Sequence, residues 1–232
     1  DDRPQSMAIF RHQLFDTLPL DNVERIEIIK GPDSVSSGNQ AVAGVINVTT
    51  KRPKEEGMKT TISTAIGNYS TQDYYINNVL KSGQFDYSLN AGYKSTAGKR
   101  NNSDSYQQNY SAKIGYDLSR EIRFEANGGY NNAILFNPGP VGSFWDRYLE
   151  ACDMKQASGD IRFIRDMDET KTKVIFYVDS GFNDFKENAV NYSVPMPVTI
   201  PGSDNRFENY GFRLMHDMVI APGNLTRIGF DW

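Results

Sequence analysis

From Lys59 onward the chain alternates apolar and polar residues with a period of two, which commits that stretch to strands with one apolar and one polar face. The clearest case sets Phe85, Tyr87, Leu89, Ala91 and Tyr93 against Asp86, Ser88, Asn90, Gly92 and Lys94. Ile122, Phe124, Ala126 and Tyr130 likewise oppose Arg123, Glu125, Asn127 and Asn131, and the segments Tyr110–Leu118 and Tyr210–Met218 repeat the pattern. Nine strands are predicted, near 59–67, 72–81, 84–95, 107–118, 121–131, 155–165, 171–182, 207–220 and 224–232. Most reach ten residues or more, longer than a typical globular strand and suited to a tilted crossing of a bilayer.

The connections sort by end. Short turns are expected at Lys81–Gln84, Leu118–Glu121, Arg165–Thr170 and Ala221–Asn224, interleaved with long ones at 96–106, 132–154 and 183–206. Only Asn68–Thr71 breaks the rule by being short on the long-loop side. A membrane barrel has short turns on one side and long loops on the other, whereas a soluble β-sandwich has no reason to sort them. Nineteen glycines and thirteen tyrosines are compatible with either architecture. No run of 18 apolar residues is present, so a transmembrane helix is not expected. A net charge of −4 gives no basic footprint for nucleic acid. Cys152 is the only cysteine and reads as an isolated, loop-borne thiol.

Upstream, Val23–Lys51 reads VERIEIIKGPDSVSSGNQAVAGVINVTTK, two apolar runs joined by a Gly/Ser-rich connection. Pro32 lacks an N–H and has a fixed φ, so the first strand must stop at Gly31-Pro32. Gly31, Pro32, Ser34, Gly38, Ala41, Gly44, Ile46, Asn47, Thr49 and Lys51 resemble, in order and spacing, the end of the plug domain of TonB-dependent outer-membrane receptors. The chain departs from that pattern at Ser36-Ser37, where the family usually carries a bulkier pair.

The resemblance implies a mainly β fold: a fragment of a plugged, 22-stranded-type transmembrane antiparallel β-barrel with a partial α/β plug. Residues 1–52 would be the C-terminal part of the plug, 53–58 a charged connector and 59–232 the first part of the barrel wall. About thirteen further strands are expected outside this stretch, because a plug does not fit in an eight-stranded barrel and plugged transporters have 22 strands. The resemblance also implies a signal peptide and a TonB box upstream. Energy-driven import of a scarce ligand across the bacterial outer membrane is implied, with the TonB complex, outer-membrane lipid and a small-molecule ligand as partners. A ferric siderophore is the first expectation for that ligand. Haem, cobalamin and a saccharide or peptide are the alternatives within the family, and a passive porin or a soluble β-rich binding or adhesion domain those outside it.

Within that frame Arg3, Gln5, Met7, Phe10, Arg11 and His12 are expected near the ligand-facing apex of the plug. In the loop 132–154, Phe144, Trp145, Arg147 and Tyr148 make a cationic-aromatic mixture suited to an anionic aromatic chelate. Glu24, Arg25 and Glu27 are expected to hold the plug against the barrel, since bare charges in an enclosed lumen are costly. Wall-facing Asp86, Lys94, Arg123 and Glu125 are of the type to receive them. No nucleophile, zinc or phosphate-loop motif is present, and the two histidines, His12 and His216, lie far apart in sequence. The expectation is a transporter with no catalytic residues, no resident cofactor and no metal site.

Overall fold

The structure is a computed structural model that describes residues 20–31, 44–138, 150–187, 203–221 and 223–232. The apex residues Arg3 to His12, the loop residues Phe144, Trp145, Arg147 and Tyr148, and Pro32, Ser34, Gly38 and Ala41 of the plug motif lie outside them. Apart from a single 3-10 turn at Leu20–Asn22, the regular structure of the described residues is strand.

Two sheets are present. The first is a ribbon of β1 (Val23–Lys30) and β2 (Gly44–Thr50), antiparallel, with Val23 opposite Thr50 and Lys30 opposite Gly44. The second holds nine strands in an antiparallel meander: β3 (Gly57–Gly67), β4 (Thr71–Ser82), β5 (Phe85–Thr96), β6 (Ser105–Asp117), β7 (Ile122–Asn137), β8 (Glu150–Met167), β9 (Thr170–Glu187), β10 (Ser203–Ala221) and β11 (Asn224–Asp231). Spatial order follows sequence order throughout, each strand hydrogen-bonded to its predecessor. All nine expected strands are there.

Their lengths are where the expectation falls short. β7 has 16 residues, β8 and β9 have 18 each, and β10 has 19. They continue beyond the apolar alternation into polar residues such as Asn132, Asp153 and Asp184, where ladder hydrogen bonds persist although no lipid-facing pattern marks them. The connections expected at 132–154 and 183–206 therefore shrink to 138–149 and 188–202. Cys152, expected in a loop, stands inside β8 opposite Leu135 and Phe185.

Burial is inverted relative to a soluble domain. The buried residues include Asp86, Ser88, Lys113, Arg123, Asp160, Arg162, Asp179, Asn183 and Arg213, while Ile62, Leu89, Ile114, Phe124, Ile161, Phe176 and Phe230 are exposed. Most polar positions face the buried, concave side and most apolar ones face outward, as in a sheet whose exterior solvent is hydrocarbon, with Ala133, Met154, Ile175 and Phe207 as apolar residues that are buried instead. On β7 the outward set runs from Ile122 to Tyr130 before polar Asn132 follows. Eight residue steps along a strand tilted by ~40° span roughly 20 Å, close to the apolar thickness such barrels present. Outward rings meet across strands, with Phe124 and Phe163 centroids 5.3 Å apart, Phe176 and Phe212 5.0 Å, and Tyr110 stacked on Tyr130 at 6.5 Å. Such cross-strand aromatic pairs add stability beyond simple area burial.

The turn between β3 and β4 is unusual in that Tyr69 and Ser70 both have positive φ, 57° and 54°. Two consecutive residues there define a tight hairpin turn that glycine or asparagine normally fills. Compensation comes from Thr71, whose Oγ1 donates to the Asn68 carbonyl at 2.6 Å, and from Ala97 N–H, which donates to the Tyr69 carbonyl at 2.8 Å.

Candidate functional site

The residues that flank the ribbon meet the concave, polar face of the large sheet. Lys94 on β5 pairs with Asp21 at 3.0 Å and with Asp73 of β4 at 3.2 Å. Asn22, itself buried, donates from Nδ2 to Ser111 Oγ on β6 at 3.3 Å. Lys113, one step lower on β6, reaches the Thr50 carbonyl at 3.4 Å. Below these, near the short turns, Arg52 Nη2 contacts Asp86 Oδ2 at 3.3 Å and Asp117 Oδ2 at 3.1 Å. Bridges from the ribbon thus descend the sheet face across β5 and β6.

The lowest contact is the most elaborate. Asp86 is fully buried and grips Arg123 of β7 through two parallel bonds, Nη1 to Oδ2 at 2.8 Å and Nη2 to Oδ1 at 2.9 Å. Arg123 Nη1 also donates to Asp117 Oδ1 at 2.8 Å, and its Nε to Glu125 Oε1 at 2.7 Å. Two arginines, Arg52 and Arg123, therefore share two carboxylates, Asp86 and Asp117. Fork-to-carboxylate pairing of this kind is short, directional and stronger than a neutral hydrogen bond. To reach Asp86 on β5 from β7, the Arg123 guanidinium must cross β6, and it does so above Gly115, which faces both Asp86 and Glu125 in the ladder. Any Cβ at 115 would collide with that guanidinium. A glycine in mid-strand, otherwise a poor strand residue, is here the seat of the arginine.

The ion chain continues along the concave face. Arg162 of β8 lies 4.0 Å from Glu125 and donates to Asp160 Oδ1 at 2.5 Å, and Asn127 donates to the same oxygen at 2.7 Å. Farther round, Gln156 bonds Asp179 at 2.8 Å and Arg213 bonds Asp231 at 2.7 Å. Alternation of sign is what makes burial of so many charges tolerable.

The expected anchoring residues are satisfied closer to home. Arg25 pairs with Glu27 two positions away on its own strand at 3.4 Å, and Glu27 also accepts from Asn47 Nδ2 of β2 at 3.1 Å. Glu24 accepts from Lys54 of the connector at 2.5 Å. The hydrogen bond from the Lys54 ammonium holds the Glu24 carboxyl below the ordinary glutamate range, with the charge of Lys113 adding to it. It is Asp21, Asn22 and Arg52, just outside the strands, together with the carbonyl of Thr50 at the end of β2, that meet the sheet. A sequence signal for Arg52 does exist. It sits next to Pro53, where the chain changes character, and Asp86 and Asp117 each border a short turn. Of the plug-motif residues, Gly44 has φ +159° and its missing Cβ leaves room for the Ile29 carbonyl, while Gly31, at φ +95°, ends β1. Ile46 and Asn47 lie in β2 opposite Ile28 and Glu27.

Residues 1–45 match the family model described as TonB-dependent Receptor Plug Domain. The ferric enterobactin receptor of Pseudomonas aeruginosa is 32% identical over 98 residues, which is 34% of this chain and 13% of that protein. At its N-terminal end the chain is thus similar to the plug domain of TonB-dependent receptors. The vitamin B12 transporter BtuB of Vibrio cholerae is 38% identical over 63 residues, 27% of this chain and 10% of that one. Solved structures reproduce the fold at lower identity. The ferric preacinetobactin receptor BauA of Acinetobacter baumannii superposes with TM-score 0.74 at 12% identity, covering 98% of this chain and 39% of that one. The siderophore receptor PiuA, from the same organism, gives 0.73 at 15%, covering 91% and 35%. The chain thus spans little more than a third of the length of these solved receptors. The residues matched by the plug model take in β1 and the start of β2.

Proposed function

We propose that this chain is the plug-to-wall segment of a receptor that imports a ferric siderophore actively across the bacterial outer membrane. Residues 1–52 serve as plug, 53–58 as connector and 59–232 as wall. The observation that carries the reading is the pairing of an inside-out sheet with a ribbon ion-paired to its polar face through Arg52, Asp86, Asp117 and Arg123. A passive pore has no use for such a closure, and a soluble domain would not expose Ile114, Phe124 and Phe176 while burying Asp86 and Arg162. The TonB complex supplies the work through chain preceding the ribbon, and ligand binding biases the plug between two arrangements only so far as it prefers one of them. Arg3, Gln5, Met7, Phe10, Arg11 and His12 on the plug, with Phe144, Trp145, Arg147 and Tyr148 on the outer loop, are the proposed ligand contacts. The receptor performs transport and no bond chemistry.

The siderophore reading draws support from the names of the relatives, among them the ferric enterobactin receptor and PiuA. The stretch similar to BtuB makes cobalamin the second reading. Cells carrying the intact receptor, given radio-iron as a ferric catecholate or labelled cobalamin with and without a protonophore, separate the readings. Iron uptake abolished by the protonophore is the expected result. Cobalamin uptake instead replaces the ligand, and uptake indifferent to the protonophore overturns active import.

A further inference from the structure

Because Val23 faces Thr50 and Lys30 faces Gly44, the chain enters and leaves the plug ribbon at the same end. Across that end Lys51 N–H donates to the Asn22 carbonyl at 2.9 Å and Lys51 Nζ to the Asp21 carbonyl at 2.8 Å. A load applied to chain before Val23 and resisted after Thr50 therefore acts on a fork. Ladder bonds are broken one or two at a time, starting at the fork, instead of all together as when two strands are slid past each other. The two arms of the fork are held differently. Upstream, Asp21 and Asn22 touch the wall through the Lys94 ion pair and one hydrogen bond to Ser111. Downstream, Arg52 is held by two carboxylates at once, and those are fixed in turn by Arg123 on its glycine seat.

We propose that Arg52 is the positioning residue that arrests plug release. Under load β1 peels from β2, from Val23 toward Lys30, and peeling ends at Arg52, which stays on the wall with the connector. The gate thereby opens without the plug being drawn out of the barrel. This rests on the receptor being energised by a pull on chain preceding the ribbon.

The test uses the intact receptor in cells and reads entry of a bulky hydrophilic antibiotic, with and without a protonophore. In Arg52→Gln the leak is expected to rise on the order of tenfold in energised cells, the factor that one lost charge-assisted hydrogen bond represents. In de-energised cells it stays at the native level, and Arg52→Lys restores the energised value toward native. A second arm places V23C and T50C together in a Cys152→Ser background. Directly opposed strand residues lie within disulfide reach. The oxidised pair is expected to bind a ferric catecholate normally, to lose its import, and to regain import on reduction. A leak in Arg52→Gln that is equal with and without energy makes Arg52 a static contact and overturns the proposal. So does no leak in either condition, or native import by the oxidised pair. Native uptake insensitive to the protonophore overturns the functional reading and this inference together; energy-dependent uptake with any of those three results overturns this inference alone.

Discussion

Arg123 lies across Gly115, its guanidinium filling the space that a side chain at position 115 would need, and from there it holds Asp86 two strands away. The wall's ionic cluster thus depends on an atom that is missing. Gly115→Val should improve local strand propensity yet destabilise the wall by about 3 kcal/mol, the cost of leaving a buried carboxylate without its main partner. Gly128→Val is the control, because a Cβ there meets only the Ser158 carbonyl at 4.0 Å, and it should be neutral. Denaturant unfolding of the intact receptor in detergent, followed by tryptophan fluorescence, compares the two.

Truncating the arginine itself gives a related but separable result. Arg123→Leu should cost on the order of 3 kcal/mol, since Asp86 keeps only the longer Arg52 contact. Arg123→Leu combined with Asp86→Leu should recover much of that loss, because an apolar pair in place of an ion pair is often neutral. A double-mutant cycle on unfolding midpoints reads the coupling, and additivity of the two losses would refute it.

The strands were legible in the sequence because lipid and lumen impose opposite chemistry on alternate residues, so Phe85–Tyr93 and Ile122–Tyr130 announce both their type and their facing. The outer ends of β7 to β10 were not, because above the apolar band both faces meet polar surroundings. Asn132, Asp153 and Asp184 still make ladder bonds there but carry no alternation. The junction was half legible. Asp86, Lys94 and Arg123 were recognisable as lumen charges in search of partners, but which plug residues meet them depends on where the chain bends out of the ribbon. That is why Arg25 and Glu27, though correctly charged, pair with each other. Gly115 gave no sign, since a glycine in mid-strand looks the same whether it is a seat or a weakness.

The lipid face yields the plainest expectation. Replacing Ile114 or Phe124, both outward and exposed, with Arg should destabilise the barrel by roughly 2–4 kcal/mol, because a charge there is set in hydrocarbon. Reversible unfolding from vesicles measures it. The same substitution at Ser111, which faces the lumen, should cost far less.

At the connector, the Glu24 carboxyl should titrate below an ordinary glutamate because the Lys54 ammonium favours its charged form. A carboxyl whose pKa is lowered by folding contributes stability that is present above the unfolded value and lost as pH falls through the folded one. The tie between ribbon and connector should therefore be unaffected at neutral pH and loosen only in acid. Carboxyl-carbon NMR of Glu24 follows the titration, and Lys54→Met should move it upward.

Tyr69 and Ser70 offer a gain. Replacing them with Asn and Gly, which accept positive φ at little cost, should stabilise the β3–β4 hairpin by ~0.5–1 kcal/mol. An unchanged unfolding midpoint would show that the bonds from Thr71 and Ala97 already absorb the strain.

The meander has a consequence for how this wall is made. Since each strand pairs with the one translated just before it, every closure is local, down to the two residues between Ser82 and Phe85. Local closure costs little chain entropy, and low contact order favours rapid pairing. The wall can therefore be laid down one hairpin at a time, each new strand templated on the edge left by the last.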